Sequence, residues 1–231
     1  VIDRAAEAGV TRIITIGSDL EDSARNLEIA DEFPGVFAAV GVHPTSVHEV
    51  TETDWVARIR DMAAHPKVVA IGEIGLDFFH PPRDGSSDEA WRARQEKFFR
   101  AQLDLAEELK LSTVIHQREC IEEVGTVLAD YTDRVRSVVH CFTGTPAQMR
   151  TILEMENTPA DHPARDQGFF PRKYRGLLIT NPSQRRSRRP NGRRGVQPEA
   201  VGKQSVGEQD SVAVVDQKQS DCQRVQSTSD V

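Results

Sequence analysis

Four polar side chains able to bind a cation or move a proton recur at comparable points of otherwise apolar sequence. His43 closes Gly41-Val42-His43, Glu73 follows the run Val68 to Gly72, His116 ends Val114-Ile115-His116, and His140 ends Val138-Val139-His140. Imidazoles and a carboxylate brought to one rim suit borderline divalent ions such as Zn²⁺, Mn²⁺ or Co²⁺. Taken singly, a histidine after an apolar run is more often a hydrogen-bonded structural residue than a ligand. Glu73 carries more weight, because a lone carboxylate next to an apolar run is costly to bury. Four such groups after four successive runs are hard to attribute to chance.

Other residues are weaker candidates. Asp77, four residues after Glu73, can orient a ligand through a hydrogen bond or simply cap a loop. Arg118, two residues after His116, can reach a phosphate or form a surface ion pair. Phe78-Phe79 offers aromatic faces on which bases stack, although core packing is the commoner fate of such a pair. His48, His65, His80 and His162 lie in loops or polar stretches and read as solvated. Cys120 and Cys141 lack an activating neighbour in the sequence and read as buried small side chains.

The elements that would carry these groups alternate. β-rich runs lie at Arg12 to Ile16, Val36 to Val42, Val68 to Gly72, Ser112 to Ile115 and Val135 to Val139. They are largely unbroken apolar runs, the pattern of parallel strands buried on both faces. A helix-like stretch before the first run ends at Gly9, a helix C-cap residue. Trp55, Ile59 and Met62 fall at helical spacing, as do Phe99, Leu103 and Ala106 after a capping-box pattern at Ser86 and Glu89, and Ile121, Val124 and Leu128. Strands alternating with helices imply βαβ units and a parallel sheet, either open and doubly wound or closing as a (β/α) barrel. In both, ligand groups gather at the carboxyl ends of the strands. No Gly-x-Gly-x-x-Gly follows the first run, so the dinucleotide-binding variant loses support.

Composition sets further bounds. The 231 residues carry 29 Lys+Arg and 36 Asp+Glu, a net charge of −7, which excludes a basic nucleic-acid coat but not a local basic site. No apolar run approaches the ~20 residues of a membrane helix. With three cysteines at no metal-binding spacing and no charged-then-apolar leader at Val1, a reducing, cytoplasmic compartment is expected. Beyond Met155 the character changes. Six arginines fall between Arg185 and Arg194 among Gln and Ser, and Gly176 to Thr180 stands out as a compact apolar cluster. Such a stretch buries too little apolar surface to offset its ordering entropy. Residues 1–155 are therefore expected to form the domain, and 156–231 a low-complexity, disordered tail.

Together, Gly41-Val42-His43-Pro44, Ala70-Ile71-Gly72-Glu73-Ile74-Gly75-Leu76-Asp77, Val114-Ile115-His116-Gln117-Arg118 and His140-Cys141-Phe142-Thr143-Gly144 resemble, in order and interval, the motifs of the TatD family of metal-dependent hydrolases and deoxyribonucleases. The resemblance covers about residues 1–153. It implies an α/β fold, here a partial TIM (β/α) barrel of about five parallel strands with helices. It implies two divalent ions (Mg²⁺, Mn²⁺ or Zn²⁺) held by Glu73, His116 and His140, with Glu73 shared between them and Glu73 and His140 catalytic. Two such ions ~3.5–4 Å apart activate a water and stabilise the leaving oxygen of a phosphodiester. It further implies His43 and Arg118 near the substrate phosphate and DNA as substrate; Asp77 is expected to support a ligand, and neither a membrane nor an obligate protein partner is expected.

The departures from the pattern matter equally. The family's His-x-His pair on the first barrel strand has no counterpart, and the chain reads as incomplete at both ends. The late Glu-Thr-Asp-Ala-Pro-like motif is absent too: Leu177-Leu178-Ile179-Thr180-Asn181-Pro182 lacks the acid. An open-edged barrel with fewer donors is expected to aggregate and to cleave DNA weakly or not at all. The alternatives are a small-molecule amidohydrolase or lactonase, disfavoured because no lysine ends a strand-like run, and a non-catalytic remnant or interaction protein. The abrupt loss of periodicity at residues 154–157 reads as a shift of reading frame. The nucleotide sequence checks this: one of the other two frames should encode the Glu-Thr-Asp-Ala-Pro-like stretch, and its absence from both removes the explanation.

Overall fold

The computed structural model describes residues 2–140, 142, 145, 147–148, 178–179 and 211–216. Five strands, β1 (Val10–Ile16), β2 (Val36–Val40), β3 (Val68–Asp77), β4 (Ser112–Arg118) and β5 (Ser137–His140), alternate with helices α1 (Ile2–Glu7), α2 (Leu20–Glu32), α3 (Trp55–Ala63), α4 (Asp88–Leu109) and α5 (Ile121–Ala129). Each strand pairs in parallel with the next, in the order β1-β2-β3-β4-β5. A doubly wound sheet reverses its strand order part-way; β1 to β5 do not, so right-handed crossovers place the helices connecting them on one face and the sheet curls. The result is an arc of a (β/α) barrel.

The curl is visible at the carboxyl ends of the strands. The Glu73 backbone N–H, on β3, donates to the Gly17 carbonyl just past β1 at 3.0 Å, although β2 lies between those strands. His43 N–H reaches the Ser18 carbonyl at 3.0 Å. Strand periodicity divides the apolar residues between two faces. The larger cluster, with Val40, Ile71, Ile115 and Val139, packs against Ile59, Phe99, Leu103 and Val124 of the helices. The smaller one, Ile14, Ile16, Ala39, Val69, Ala70 and Val114, forms the inner layer.

Several boundaries differ from the sequence reading. β3 and β4 run on to Asp77 and Arg118, so Glu73 and His116 lie within strands rather than at their ends. The ladder continues because Leu76 and Asp77 still pair with Gln117 and Arg118. β2 stops at Val40, leaving His43 three residues beyond it as the cap of a short 3₁₀ turn, Pro44–Ser46. The cap of α4 is Ser87, whose hydroxyl accepts the Ala90 N–H, so the Ser86–Glu89 box is not formed: Ser86 stands one residue too early. Helix α2, unmarked by apolar spacing, starts at the Asp19 cap and buries Ser23 and Asn26 as well as Leu20 and Ala30.

Two short runs within the stretch expected to be tail are described. Leu178–Ile179 forms β6, parallel to β5, and Ser211–Asp216 forms β7, parallel to β1. Open sheet edges present unpaired N–H and C=O groups that an extended segment can satisfy. The run Val212 to Val215 has the β-branched character to do so. The rest of 156–231, with the domain boundary at 155 and the proposed frame change, lies outside the described residues.

Two buried glutamines on α4 hold the strand ends. Gln95 donates to the Asp77 carbonyl at 3.0 Å and accepts the Asp77 N–H at 2.8 Å. Gln102, two turns on, does the same for Val42, at 3.1 and 2.7 Å. Each amide replaces a strand partner where the ladder gives out. Gln102→Leu should therefore lower unfolding free energy by roughly 1–3 kcal/mol for each backbone group left unpaired, measured by urea denaturation. A loss below ~0.5 kcal/mol, the scale of an ordinary surface substitution, would contradict the role.

Candidate metal centre

The site is built on neighbouring strands in register. Gly75 pairs with His116 across β3 and β4, and His116 with His140 across β4 and β5. Between Ile71 and Ile74 the β3–β4 register shifts, and Glu73 sits in that irregularity, a device that re-aims a side chain. Gly75, at φ +141°, presses against the His116 carbonyl so closely that a Cβ there would collide with it. Glycine at this position lets the two strands approach beside the site.

Glu73, Asp77, His43, His116 and His140 are all buried. His116 lies between two carboxylates: Nδ1 is 3.1 Å from Glu73 Oε1 and Nε2 is 3.0 Å from Asp77 Oδ2. The rings of His43 and His116 meet edge to face, 4.3 Å between centroids. Ligand atoms of His43, Glu73 and His116 lie within 4.8 Å of one another, a spacing one cation can span.

Electrostatics keep the centre charged. Burial works against ionising His116, yet the hydrogen bonds to Asp77 and Glu73 push its pKa up to about 9. Burial likewise opposes the Glu73 carboxylate, but His140, His116 and His43 together hold it at about 2. Asp77, despite its own desolvation, stays well below the usual carboxylate range through hydrogen bonds from His116 and His80. His43 goes the other way: burial, reinforced by the charge on His116, lowers it to about 3 and keeps it neutral. Its Nδ1 accepts the Thr45 backbone N–H at 3.2 Å, so the ring proton belongs on Nε2.

A cation fits this donor set. Glu73 Oε2 is buried and accepts no hydrogen bond from the described residues, an arrangement that costs free energy unless a positive partner arrives. In the absence of metal, the proton on His116 Nδ1 fills that role toward Oε1. Asp77 on the opposite nitrogen is the carboxylate–imidazole arrangement that orients metal-ligating histidines.

The residues singled out in the sequence fall as follows. Glu73, His116 and His43 converge, and His140 lies opposite His116 in register and acts on Glu73. Asp77 joins the centre directly through His116. The Arg118 guanidinium lies over the Phe79 ring, 3.8 Å from its centroid. His80, read as solvated, instead donates from Nδ1 to Asp77 Oδ2 at 2.9 Å. Its position three residues after Asp77 was the available signal. His48 packs on Trp91, and His65 pairs with Asp31 at 3.3 Å. The Cys120 thiol is buried as expected and donates to the Leu76 carbonyl, and burial pushes its pKa up to about 12. Cys141 and His162 lie outside the described residues.

Residues 1–160 match the family described as TatD related DNase. The chain belongs to that family. It is 37% identical over 156 residues to a protein of Bacillus subtilis named as an uncharacterized metal-dependent hydrolase, YabD, covering 67% of this chain and 58% of the relative. It is 39% identical over 158 residues to the 3'-5' ssDNA/RNA exonuclease TatD of Yersinia pseudotuberculosis, covering 67% and 57%. Among solved structures, the TatD homolog YJJV of Escherichia coli superposes with a TM-score of 0.58 at 30% identity, over 66% of this chain and 57% of that one. An uncharacterized amidohydrolase of Saccharomyces cerevisiae, TM-score 0.60 at 18% identity over 78% and 66%, shares the fold. The chain thus spans less than three-fifths of the length of these two curated relatives. Among the described residues no helix is long and apolar enough to cross a membrane.

The pKa shifts set a pH window for the metal-free chain. His116, raised from 6.5 to about 9, gives stability that is complete below ~6.5 and lost as pH rises through about 9. Glu73, lowered from 4.5 to about 2, contributes above ~4.5 and fails as pH falls through about 2. His43, lowered from 6.5 to about 3, must lose its proton on folding and so withdraws stability as pH falls below ~6.5. In EDTA the melting temperature should therefore peak near pH ~6.5 and fall by roughly 2–8 °C toward pH 9. His116→Asn should flatten the alkaline limb; an unchanged slope in that variant would refute the assignment.

Proposed function

We propose that this chain is a divalent-metal-dependent hydrolase of the TatD type that cleaves DNA phosphodiester bonds, acting on single strands and with impaired turnover. The observation that carries the reading is Glu73 Oε2, buried without a hydrogen bond while His116 Nδ1 stands 3.1 Å from the other oxygen of the same carboxylate. The exonuclease name of the Yersinia relative supports a single-stranded substrate. The buried, free Cys120 is in keeping with a reducing, cytoplasmic setting.

Glu73, His116 and His140 would hold two divalent ions, Mg²⁺, Mn²⁺ or Zn²⁺. When bound, the ions lower the pKa of a water and neutralise charge on the phosphate oxygens. The chain's own groups supply the rest. Asp77 keeps the His116 proton on Nε2, leaving Nδ1 free to ligate. Neutral His43 offers its Nε2–H to a phosphate oxygen, and Arg118 adds planar, charged donors at the same rim. Glu73 and His140 touch the reacting centre. The reading of impairment rests on the few donors that the described residues bring to the centre, Glu73, His43, His116 and His140.

The purified 231-residue chain should bind Mn²⁺ and cleave single-stranded DNA slowly, with cleavage abolished by EDTA and by Glu73→Gln. Asp77→Asn should weaken Mn²⁺ binding by ~10–100-fold in titration calorimetry. Cleavage that survives Glu73→Gln would overturn the metal assignment, and robust turnover by the unaltered chain would overturn the impairment.

A further inference from the structure

Phe79 is the large apolar side chain that the described residues leave most open to water, with 48% of its surface exposed. It follows Asp77 by two residues, at the carboxyl rim where the candidate metal centre sits. Neighbouring Phe78 turns into the core and carries Arg92 on its face at 4.2 Å, so core packing has claimed only one of the pair.

The exposed ring is held rather than loose. Its backbone N–H donates to Asp77 Oδ1 at 3.1 Å. The Arg118 guanidinium stands 3.8 Å from its centroid, and the His80 ring meets it at right angles, 5.1 Å away. The Phe78 N–H donates to the Arg118 carbonyl at 3.0 Å, tying the loop to the end of β4. The Asp77 carboxylate that takes the His116 Nε2–H through one oxygen therefore fixes the backbone of Phe79 through the other. A flat aromatic ring and a flat guanidinium are thus pinned two residues from groups of the metal centre.

We propose that Phe79 and Arg118 form a seat for one nucleobase of a single-stranded nucleic acid whose backbone enters the metal centre. The inference rests on the nuclease reading above and names what holds the strand. Stacking on an aromatic ring is tolerant of sequence because every base has a π-face, and a planar guanidinium adds a cation–π contact. A base inside a duplex already has both faces covered, so the seat selects unpaired bases. One phenyl ring, with the Arg118 guanidinium over a face and His80 at right angles to it, is far smaller than the ~800 Å² per partner of a protein interface, whereas it matches one base beside its phosphate.

The test uses the full chain in EDTA, so that binding is read without turnover, with an oligodeoxynucleotide carrying 2-aminopurine at its 3' end. The unaltered protein should quench the fluorescence on binding. Phe79→Ala should remove the quenching and weaken binding by roughly 5- to 100-fold, while Phe79→Trp should restore both. An oligonucleotide abasic at that end should bind Phe79→Ala and the unaltered chain alike. Equal binding of the 2-aminopurine strand by Phe79→Ala, or no binding by the unaltered chain, overturns the seat. Hydrolysis in Mn²⁺ is scored separately. Cleavage without Phe79-dependent binding overturns the seat and leaves the nuclease reading standing. Phe79-dependent binding without cleavage supports the seat and counts against the nuclease reading.

Discussion

A carboxylate as deeply buried as Glu73 cannot be kept ionised by solvent. It stays ionised because His140, His116 and His43 surround it, and those imidazoles come together because parallel strands place their side chains at matching heights. Much of the local architecture serves that cluster. The register irregularity around Glu73, the side-chain-free contact at Gly75 and the amides of Gln95 and Gln102 each satisfy backbone groups, or remove steric bulk, where the ladder is interrupted. Without them the carboxylate would lie in an apolar sheet with no compensating charge, an arrangement a fold of marginal stability does not tolerate.

Asp77 extends this constraint outward. Its two oxygens receive the rings of His116 and His80 and the backbone N–H groups of Phe79 and His80. A buried anion with that many donors is rigid, and rigidity is what a ligand-orienting group requires. The same bonds set the start of the Phe79 loop, so the geometry of the inner centre and that of the outer rim cannot vary independently.

The sheet and its principal polar residues were legible because both obey short-range rules. Unbroken apolar runs separated by helical spacing give parallel strands, and groups after those runs arrive at one rim whatever the loops do. What escaped depended on partners distant in sequence. His80 looks solvated until Asp77 is seen to face it, and Gln95 and Gln102 look like polar helix positions until the Asp77 and Val42 backbones are placed against them. The extension of β3 past Glu73 was hidden because glycines flanking an acid imitate a strand end. The caps were missed by one residue at Ser87, since Ser86 and Ser87 are equivalent in sequence and only the helix axis distinguishes them. Val212 to Val215 is hard to read as a strand because its surroundings are polar, although pairing asks only for a short extended run and an open edge.

That edge pairing bears on why the centre can form at all on an arc of barrel. Every group assigned to it comes from β2's following loop, β3, β4 and β5, which are contiguous, so the separations among them depend on ladder register and not on closure of a ring. Closure instead governs the inner layer of Ile14, Ile16, Ala39, Val69, Ala70 and Val114 and the outermost backbone groups. β7 on β1 and β6 on β5 cover those outer groups from regions of the chain remote in sequence. The chemistry and the edges are therefore separable problems in this fold. An arc suffices to gather Glu73 and its imidazoles, while the number of further donors, and with it the rate, depends on which strands stand beside that arc.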